Sequence, residues 1–261
     1  MSDPRVIAVL GLGEAGSAIA ADLIAAGATV RGYDPVAPPG PGVIAARGEA
    51  DACAGADLVL SLTTAHQARA AMRSALPAVG RAAPYGDMNT ASAGLKQQLA
   101  AMASQAGIAF ADVAIMAPVP GGGLRTPMLV SGPAAGEVAG SLNALGGSAE
   151  VIEGPAGTAA ARKLVRSVFY KGLAAAVTES LRAGRAAGCE DWLRANIAGE
   201  LDAATAATLD RLEQGSITHA VRRVDEMTAV AALLGELGVP DRVTQASIGW
   251  LTQLAAENPV T

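Results

Sequence analysis

The segment VIAVLGLGEAG, residues 6–16, constrains this chain more than any other stretch of it. An apolar run suited to a buried strand leads straight into Gly11, Gly13 and Gly16, and then into an alanine-rich helical pattern. At this spacing each glycine has a task. One makes a tight turn, one lets the backbone approach a pyrophosphate, and one lets helix and strand pack closely. The helix beyond the turn offers unpaired N–H groups to phosphate oxygens. The pattern alone recurs by chance in Ala- and Gly-rich chains, but here its context fits. A second strand, ATVRGYD, ends in Asp34, placed to accept hydrogen bonds from ribose hydroxyls. The segment predicts a dinucleotide site that includes Gly11, Leu12, Gly13, Glu14, Ala15, Gly16 and Asp34. The plainer alternative is a tight strand–helix turn beside a solvated aspartate.

The next hundred and forty residues keep the same alternation. RVIAVL, ATVRGY, DLVLSL, APYGDM, FADVAIM, PMLVSG and AEVIE read as strands, and EAGSAIAADLIAAG and SAGLKQQLAAMASQAG read as helices between them. This alternation predicts an α/β fold, a Rossmann-type doubly wound parallel sheet covered on both faces. The Pro- and Gly-crowded DPVAPPGPGV between the early elements reads as a loop. After GPAG, residues 154–157, no strand pattern remains. A helix over 158–187 is expected, then two or three more ending near Ala256, with GC, GS and GVPD as breaks. The domains expected are therefore a dinucleotide-binding unit over 1–155 and a smaller all-α unit over 156–261.

Composition removes several classes of function. The chain has 261 residues, a net charge of −5 and few aromatics, which argues against nucleic acid as a partner. No run approaches the roughly 20 apolar residues of a membrane span. The N-terminal MSDPRVIAVLGLG lacks the basic region and cleavage site of a signal peptide. Cys53 and Cys189 stand far apart, and free thiols in a reducing cytoplasm suit both. With two histidines and two distant cysteines, no metal site is expected.

Several polar groups need a reason for their positions. In AARKLVRSVFYKGLAAA, Lys163, Ser167 and Lys171 recur every four residues and so share one face of an otherwise apolar helix. Thr63, Thr64 and His66 follow the strand DLVLSL, where open α/β sheets take ligands, although a helix-capping role suits Thr64 equally. In APVPGGG the consecutive glycines allow backbone N–H groups to converge on an anion, and a plain connecting loop is the alternative. His219, Arg222, Arg223 and Glu226 fall on one helical face. They read as a salt-bridged surface, an arginine clamp for a carboxylate, or a contact with a partner chain.

Taken together, GLGEAG, DMNTAS (residues 87–92), APVPGGG (117–123) and GPAGTAAARKLVRS (154–167) resemble the β-hydroxyacid dehydrogenases, relatives of 6-phosphogluconate and 3-hydroxyisobutyrate dehydrogenase. The similarity covers most of the chain. It is nearest to a branch that shares RKLVRSVFYKG and a late HAVRRVDEM helix. The chain departs from the family pattern at Ser167, where Asn is typical, and in APVPGGG, where DAPVSGG is usual.

The resemblance implies an NAD(P)-dependent oxidoreductase that moves a hydride between a nicotinamide and a small hydroxy or keto acid. It assigns Lys163 as the general acid/base, with Ser167 beside it, and adds Thr63, Thr64 and Asn89 to the cofactor site. It also gives the loop of Pro118, Val119, Pro120, Gly121 and Gly122 to the substrate carboxylate, with Lys171, His219 and Arg223 as further contacts. Two alternatives are an imine reductase on the same architecture and a non-catalytic dinucleotide-binding protein. Asp34 is followed by Pro35 rather than by an arginine for a 2′-phosphate, so NAD is expected over NADP. The helical half is thin for a core of its own, which points to a homodimer.

Overall fold

The computed structural model describes residues 5–258. Residues 1–4, which begin the stretch on which the expectation of no signal peptide rests, and residues 259–261 lie outside the described residues. The chain divides into two compact units, one running through Arg166 and the other starting at Ser167.

The first unit is built on an eight-stranded sheet. Its strands are β1 (Val6–Leu10), β2 (Thr29–Tyr33), β3 (Ile44–Ala45), β4 (Leu58–Ser61), β5 (Tyr85–Asp87), β6 (Phe110–Ile115), β7 (Pro127–Ser131) and β8 (Ser148–Val151). They lie in the order β3-β2-β1-β4-β5-β6-β7-β8. Every pairing from β3 across to β6 is parallel, so the C-terminal ends of these strands share one edge. The order reverses between β1 and β4, which is where open parallel sheets form a ligand crevice.

Alternation along β1 shows how the sheet is covered. Ile7 and Val9 point into one core with Ile19 and Leu23 of α1 (Glu14–Ala25). Ala8 and Leu10 point into the other, which also holds Cys53, Met72 and Leu99. These three come from α2 (Glu49–Cys53), α3 (Ala68–Ala75) and α4 (Ala93–Gln105). Helix α5 (Ala135–Ala144) closes the first face with Val138 and Leu142.

The sheet is mostly parallel, with one reversal that the sequence reading did not foresee. Strand β7 runs antiparallel to β6, and β8 runs parallel to β7. Between β6 and β7 lies only a 3-10 turn at Gly123–Arg125. A parallel return needs a crossover of a dozen or more residues, usually a helix, so the chain turns back beside β6 instead. Strand β3 was also unforeseen. Its two residues are too few to show a period.

The second unit is helical throughout. Helix α6 (Thr158–Ala186) begins in the first unit and continues into the second, followed by α7 (Glu190–Asp202), α8 (Ala206–Thr218), α9 (Ala220–Glu236) and α10 (Arg242–Glu257). Four helices thus follow α6, not the two or three expected. The GC and GVPD breaks are present, but α8 runs straight through Gly215 and Ser216 and ends at Thr218. The break that was missed lies before α8, where Thr208 Oγ1 accepts the Thr205 N–H at 3.1 Å. Glu179 of α6 receives the N-terminus of α10: its carboxylate accepts the N–H groups of Val243 and Thr244, each at 2.8 Å. Helices α7 and α8 bury no residue at all. Among the described residues, no helix is long and apolar enough to cross a membrane.

Candidate active site

The glycine turn has the geometry its spacing requires. Gly11 sits at φ +96°, and a Cβ there would lie 2.4 Å from the Leu62 carbonyl oxygen. A Cβ on Gly16 would lie 2.0 Å from the Gly11 oxygen, so this glycine is fixed by the approach of α1 to the turn. Gly13 differs: nothing lies within 4 Å of a Cβ built on it. Its missing side chain faces open space at the N-terminus of α1, where Glu14, Ala15 and Gly16 occupy the first turn.

Asp34 follows β2 at the same edge. Its Oδ2 accepts the Leu12 N–H at 2.8 Å, and its Oδ1 accepts the N–H groups of Val36 and Ala37 at 2.8 and 2.9 Å. Partial burial pushes this carboxyl up, but the bonds from Ala37, Val36 and Leu12 outweigh it and hold the pKa below the usual value. Asp34 therefore stays charged and ties the glycine turn to the end of β2. Beside it, Tyr33, Pro35, Thr63, Gln67 and Ala70 line a groove with room for a flat ring and its sugar. Thr64 is exposed and its Oγ1 accepts the Gln67 N–H at 3.3 Å, so its visible task is to open the turn into α3. His66 is exposed.

Farther along the edge, Lys163 meets the end of β5. Its Nζ donates to Thr90 Oγ1 at 2.9 Å, and the two side chains line a small recess together with Asn89 and Ala114. Burial and then the charge of Lys96 hold the Lys163 ammonium below the ordinary lysine range, against the pull of Asp112. Asn89 is buried and donates through Nδ2 to Asp87 Oδ2 at 2.7 Å and to Ser61 Oγ at 3.2 Å. Its Oδ1 is buried without a hydrogen-bond partner. A buried acceptor left unpaired in this way is a polar group that the fold alone does not satisfy.

The loop after β6 is more closed than its glycines suggested. The N–H groups of Gly122 and Gly123 turn inward to the Val119 carbonyl, at 3.0 and 2.7 Å, instead of converging outward. Val119 is buried in the core, while Pro120 and Gly121 are exposed at the bend. The Leu124 N–H donates to Asp22 Oδ2 at 2.8 Å, which fastens the loop to α1. Arg166 reaches the Met116 carbonyl at 2.7 Å, next to Ala117 and Pro118.

Ser167 and Lys171 continue the Lys163 face of the unbroken helix α6, Ser167 half-buried and Lys171 exposed. In the second unit, His219 is exposed at the junction of α8 and α9. Arg223 Nη1 donates to Ser216 Oγ at 2.9 Å. Arg222, Arg223 and Glu226 line a groove with Ser247 and Trp250. His219 does not line it.

The sequence reading missed three charged groups at the recess: Asp112, which lines it, and Asp87 and Lys96, which join Asp112 in one buried cluster. A signal for Lys96 existed, since it falls on the buried stripe of α4 with Leu99 and Ala103.

Comparison with known proteins agrees with this geometry. The family profile described as the NAD binding domain of 6-phosphogluconate dehydrogenase matches residues 6–154. A domain of unknown function (DUF1932) matches residues 185–254. No curated protein matches the chain significantly. Among solved structures, a conserved hypothetical protein from Sinorhizobium meliloti 1021 is 29% identical, with 96% of this chain and 88% of that one covered and a TM-score of 0.62. Conserved protein MTH1747, described as similar in structure to 3-hydroxyacid dehydrogenases, is 28% identical, with 96% and 97% covered and a TM-score of 0.60. An imine reductase from Myxococcus stipitatus in complex with NADP+ is 22% identical, with 98% and 95% covered and a TM-score of 0.84. This last likeness is one of fold.

Proposed function

The chain belongs to the family defined by the NAD-binding domain of 6-phosphogluconate dehydrogenase, within the β-hydroxyacid dehydrogenase-like superfamily, and from that premise we propose an NAD(P)-dependent oxidoreductase acting on a small hydroxy or keto acid. The observation that carries the reading is Lys163, half-buried, with a lowered pKa and its Nζ held on Thr90 beside Asn89. A solvated surface lysine has none of these properties.

The residues present fit a dinucleotide. The open space at Gly13 and the first N–H groups of α1 suit a pyrophosphate, and Asp34 keeps acceptor capacity for a ribose. A bound nicotinamide would accept or supply the hydride. Lys163 would move the proton: as the neutral amine it takes the proton of the substrate hydroxyl, and as the ammonium it returns one to a carbonyl oxygen. Ser167, one turn along, would hydrogen-bond the substrate or the lysine. Lys171, on the same helix as Lys163, suits an anionic group of the substrate. The bend at Pro118, Pro120 and Gly121 would border the carboxylate.

Asp34 favours NAD(H), because a second negative charge on the ribose would face a carboxylate that stays ionised. Binding of NAD(H) at least about tenfold tighter than NADP(H), roughly 1.4 kcal/mol, is expected from titration of cofactor fluorescence. A panel of hydroxy acids, keto acids and imines, assayed with both cofactors at the nicotinamide absorbance band, tests the reaction itself. Turnover of an acid with Lys163 required supports the proposal. Turnover of imines alone, or with Lys163 dispensable, overturns it.

A further inference from the structure

A row of buried polar residues crosses the sheet under the active-site edge. Ser61 pairs in register with Asp87, Asp87 with Asp112, and Asp112 with Ser131, so four adjacent strands put these side chains in line on one face. All four are 0% exposed. Lys96 of α4, also 0% exposed, enters the row between the carboxylates. Its Nζ lies 2.6 Å from Asp87 Oδ1, 2.7 Å from the Asp87 carbonyl oxygen and 3.0 Å from Asp112 Oδ1.

Each end of this network holds a part of the candidate site. Asp112 Oδ2 accepts the N–H groups of Gly157 and Ala160 at 3.1 and 2.9 Å, and Ser131 Oγ accepts that of Ala159 at 3.0 Å. These are the N–H groups at the start of α6, one turn before Lys163. At the other end, Asp87 Oδ2 and Ser61 Oγ hold the Asn89 Nδ2, and Asn89 lines the recess together with Lys163.

Capping α6 needs only one acceptor such as Asp112. Lys96 and Asp87 exceed that need, and buried ion pairs contribute little net stability compared with apolar residues of the same volume. Lysine is also used sparingly. The chain has only three, Lys96, Lys163 and Lys171, against an arginine at every other cationic side chain. Two of the three act at this one place.

We propose that Lys96 is a positioning residue: through Asp112 it fixes the start of α6 and hence Lys163, and through Asp87 it fixes the acceptor face of Asn89. Lys96 also acts on Lys163 by its charge. Among the charged groups that act on Lys163 are Lys96 from α4 and Asp112 from β6, and Asp87 of β5 pairs with Lys96 beside them; on α6 itself Arg166 donates to the Met116 carbonyl.

The test rests on the proposed function only for its consequence in turnover, so it reads Lys163 directly. Trace acetylation over a range of pH, followed by peptide mass spectrometry, gives the titration midpoint of each reactive lysine, and exposed Lys171 serves as the internal reference. In Lys96→Met a cation is lost, and the Lys163 midpoint moves up. In Asp112→Asn an anion is lost, and it moves down. A network that merely supported the fold would, when broken, let Lys163 relax toward an ordinary lysine in both variants.

Movement in the same direction, or none, in variants that keep their circular dichroism overturns the proposal. If Lys96→Met does not fold, Lys96→Met with Asp87→Asn keeps the net charge of the cluster and takes its place, again with an upward move expected. If that also fails, Asp112→Asn decides alone, and an upward move there overturns the proposal. On the substrate found by the panel, Lys96→Met lowers kcat by up to about a hundredfold through misplacement of Lys163. If the panel finds no substrate, the acetylation result still stands.

Discussion

Lys163 and Gly13 carry the sharpest residue-level tests. Lys163→Ala is expected to lower turnover by about a hundredfold or more with cofactor affinity little changed. Lys163→Arg should not restore it, because a guanidinium keeps its proton at any working pH. Ser167→Ala should cost on the order of 1 kcal/mol, one hydrogen bond, and Lys171→Ala should mainly raise KM. If Lys163→Ala keeps near-normal turnover, the assignment of the acid/base is wrong. The pH dependence has a defined sign. Burial and Lys96 lower the Lys163 pKa, so the rate of oxidation should rise with pH through a midpoint below that of a free lysine. The rate of reduction, which needs the ammonium, should fall through the same midpoint. For the glycines, Gly13→Ala adds a methyl to open space, so melting should be nearly unchanged while dinucleotide affinity falls. Gly16→Ala puts a Cβ 2.0 Å from a backbone oxygen and should lose stability before any ligand is added. Equal melting losses in the two variants would remove the case for a ligand at Gly13.

At the scale of elements, the start of α10 is a separate test. Glu179 is pushed up by burial, but the bonds from Val243 and Thr244 outweigh this and its pKa lies below the usual value. A carboxyl whose pKa is lowered by folding stabilises the fold above its unfolded pKa, and this is lost as pH falls through the folded one. Glu179→Ala should therefore destabilise the helical unit by about 1 kcal/mol at neutral pH, and by less in acid. Denaturant melts at neutral and acidic pH measure both. An equal loss at the two would show that the charge is not what holds α10. The elements also divide by how legible they were. The strands from β1 to β8, except two-residue β3, were visible because buried strands give short apolar runs between turn residues. The glycine turn and Asp34 were readable because local spacing fixes where they sit, whereas spacing gave Lys163 only a shared helical face and its role came from the resemblance. The Ser61–Asp87–Asp112–Ser131 row was not readable. It exists only through the register of four strands, and register joins residues far apart in sequence. The stripe of α4 that Lys96 shares with Leu99 and Ala103 marks it as buried, but the pattern of α4 alone does not say that a carboxylate pair lies beneath it. The reversal at β7 depended on the shortness of a connection, which the strand pattern does not show. The break before α8 depended on a threonine pair, Thr205 and Thr208, in place of glycine or proline.

For the whole molecule, the helical unit poses the question of what covers it. Among its side chains, Ala220, Leu234, Thr244 and Leu251 are buried, whereas Trp192, Leu209, Leu212, Val221, Leu233 and Trp250 are exposed. Exposed apolar residues are ordinary when scattered singly, but here they outnumber the buried ones on the same helices. A unit with so small a core gains little from burial within one chain. At about 25 cal/mol per Å² of apolar surface, pairing with a second copy is a large available source of stability. Self-association with two-fold symmetry is the common form of such pairing, because one patch then serves both chains. We therefore expect a homodimer held mainly by residues 158–261. Light scattering at micromolar concentration should give twice the chain mass. Trp192→Glu with Leu212→Glu should shift it toward the monomer and lower the melting temperature together, since the interface and the core of this unit are then largely the same surface. The melting temperature should also rise with protein concentration, as mass action requires of a fold coupled to assembly. A monomer with a concentration-independent melt would mean that the helical unit is stable alone, despite its exposed tryptophans and leucines.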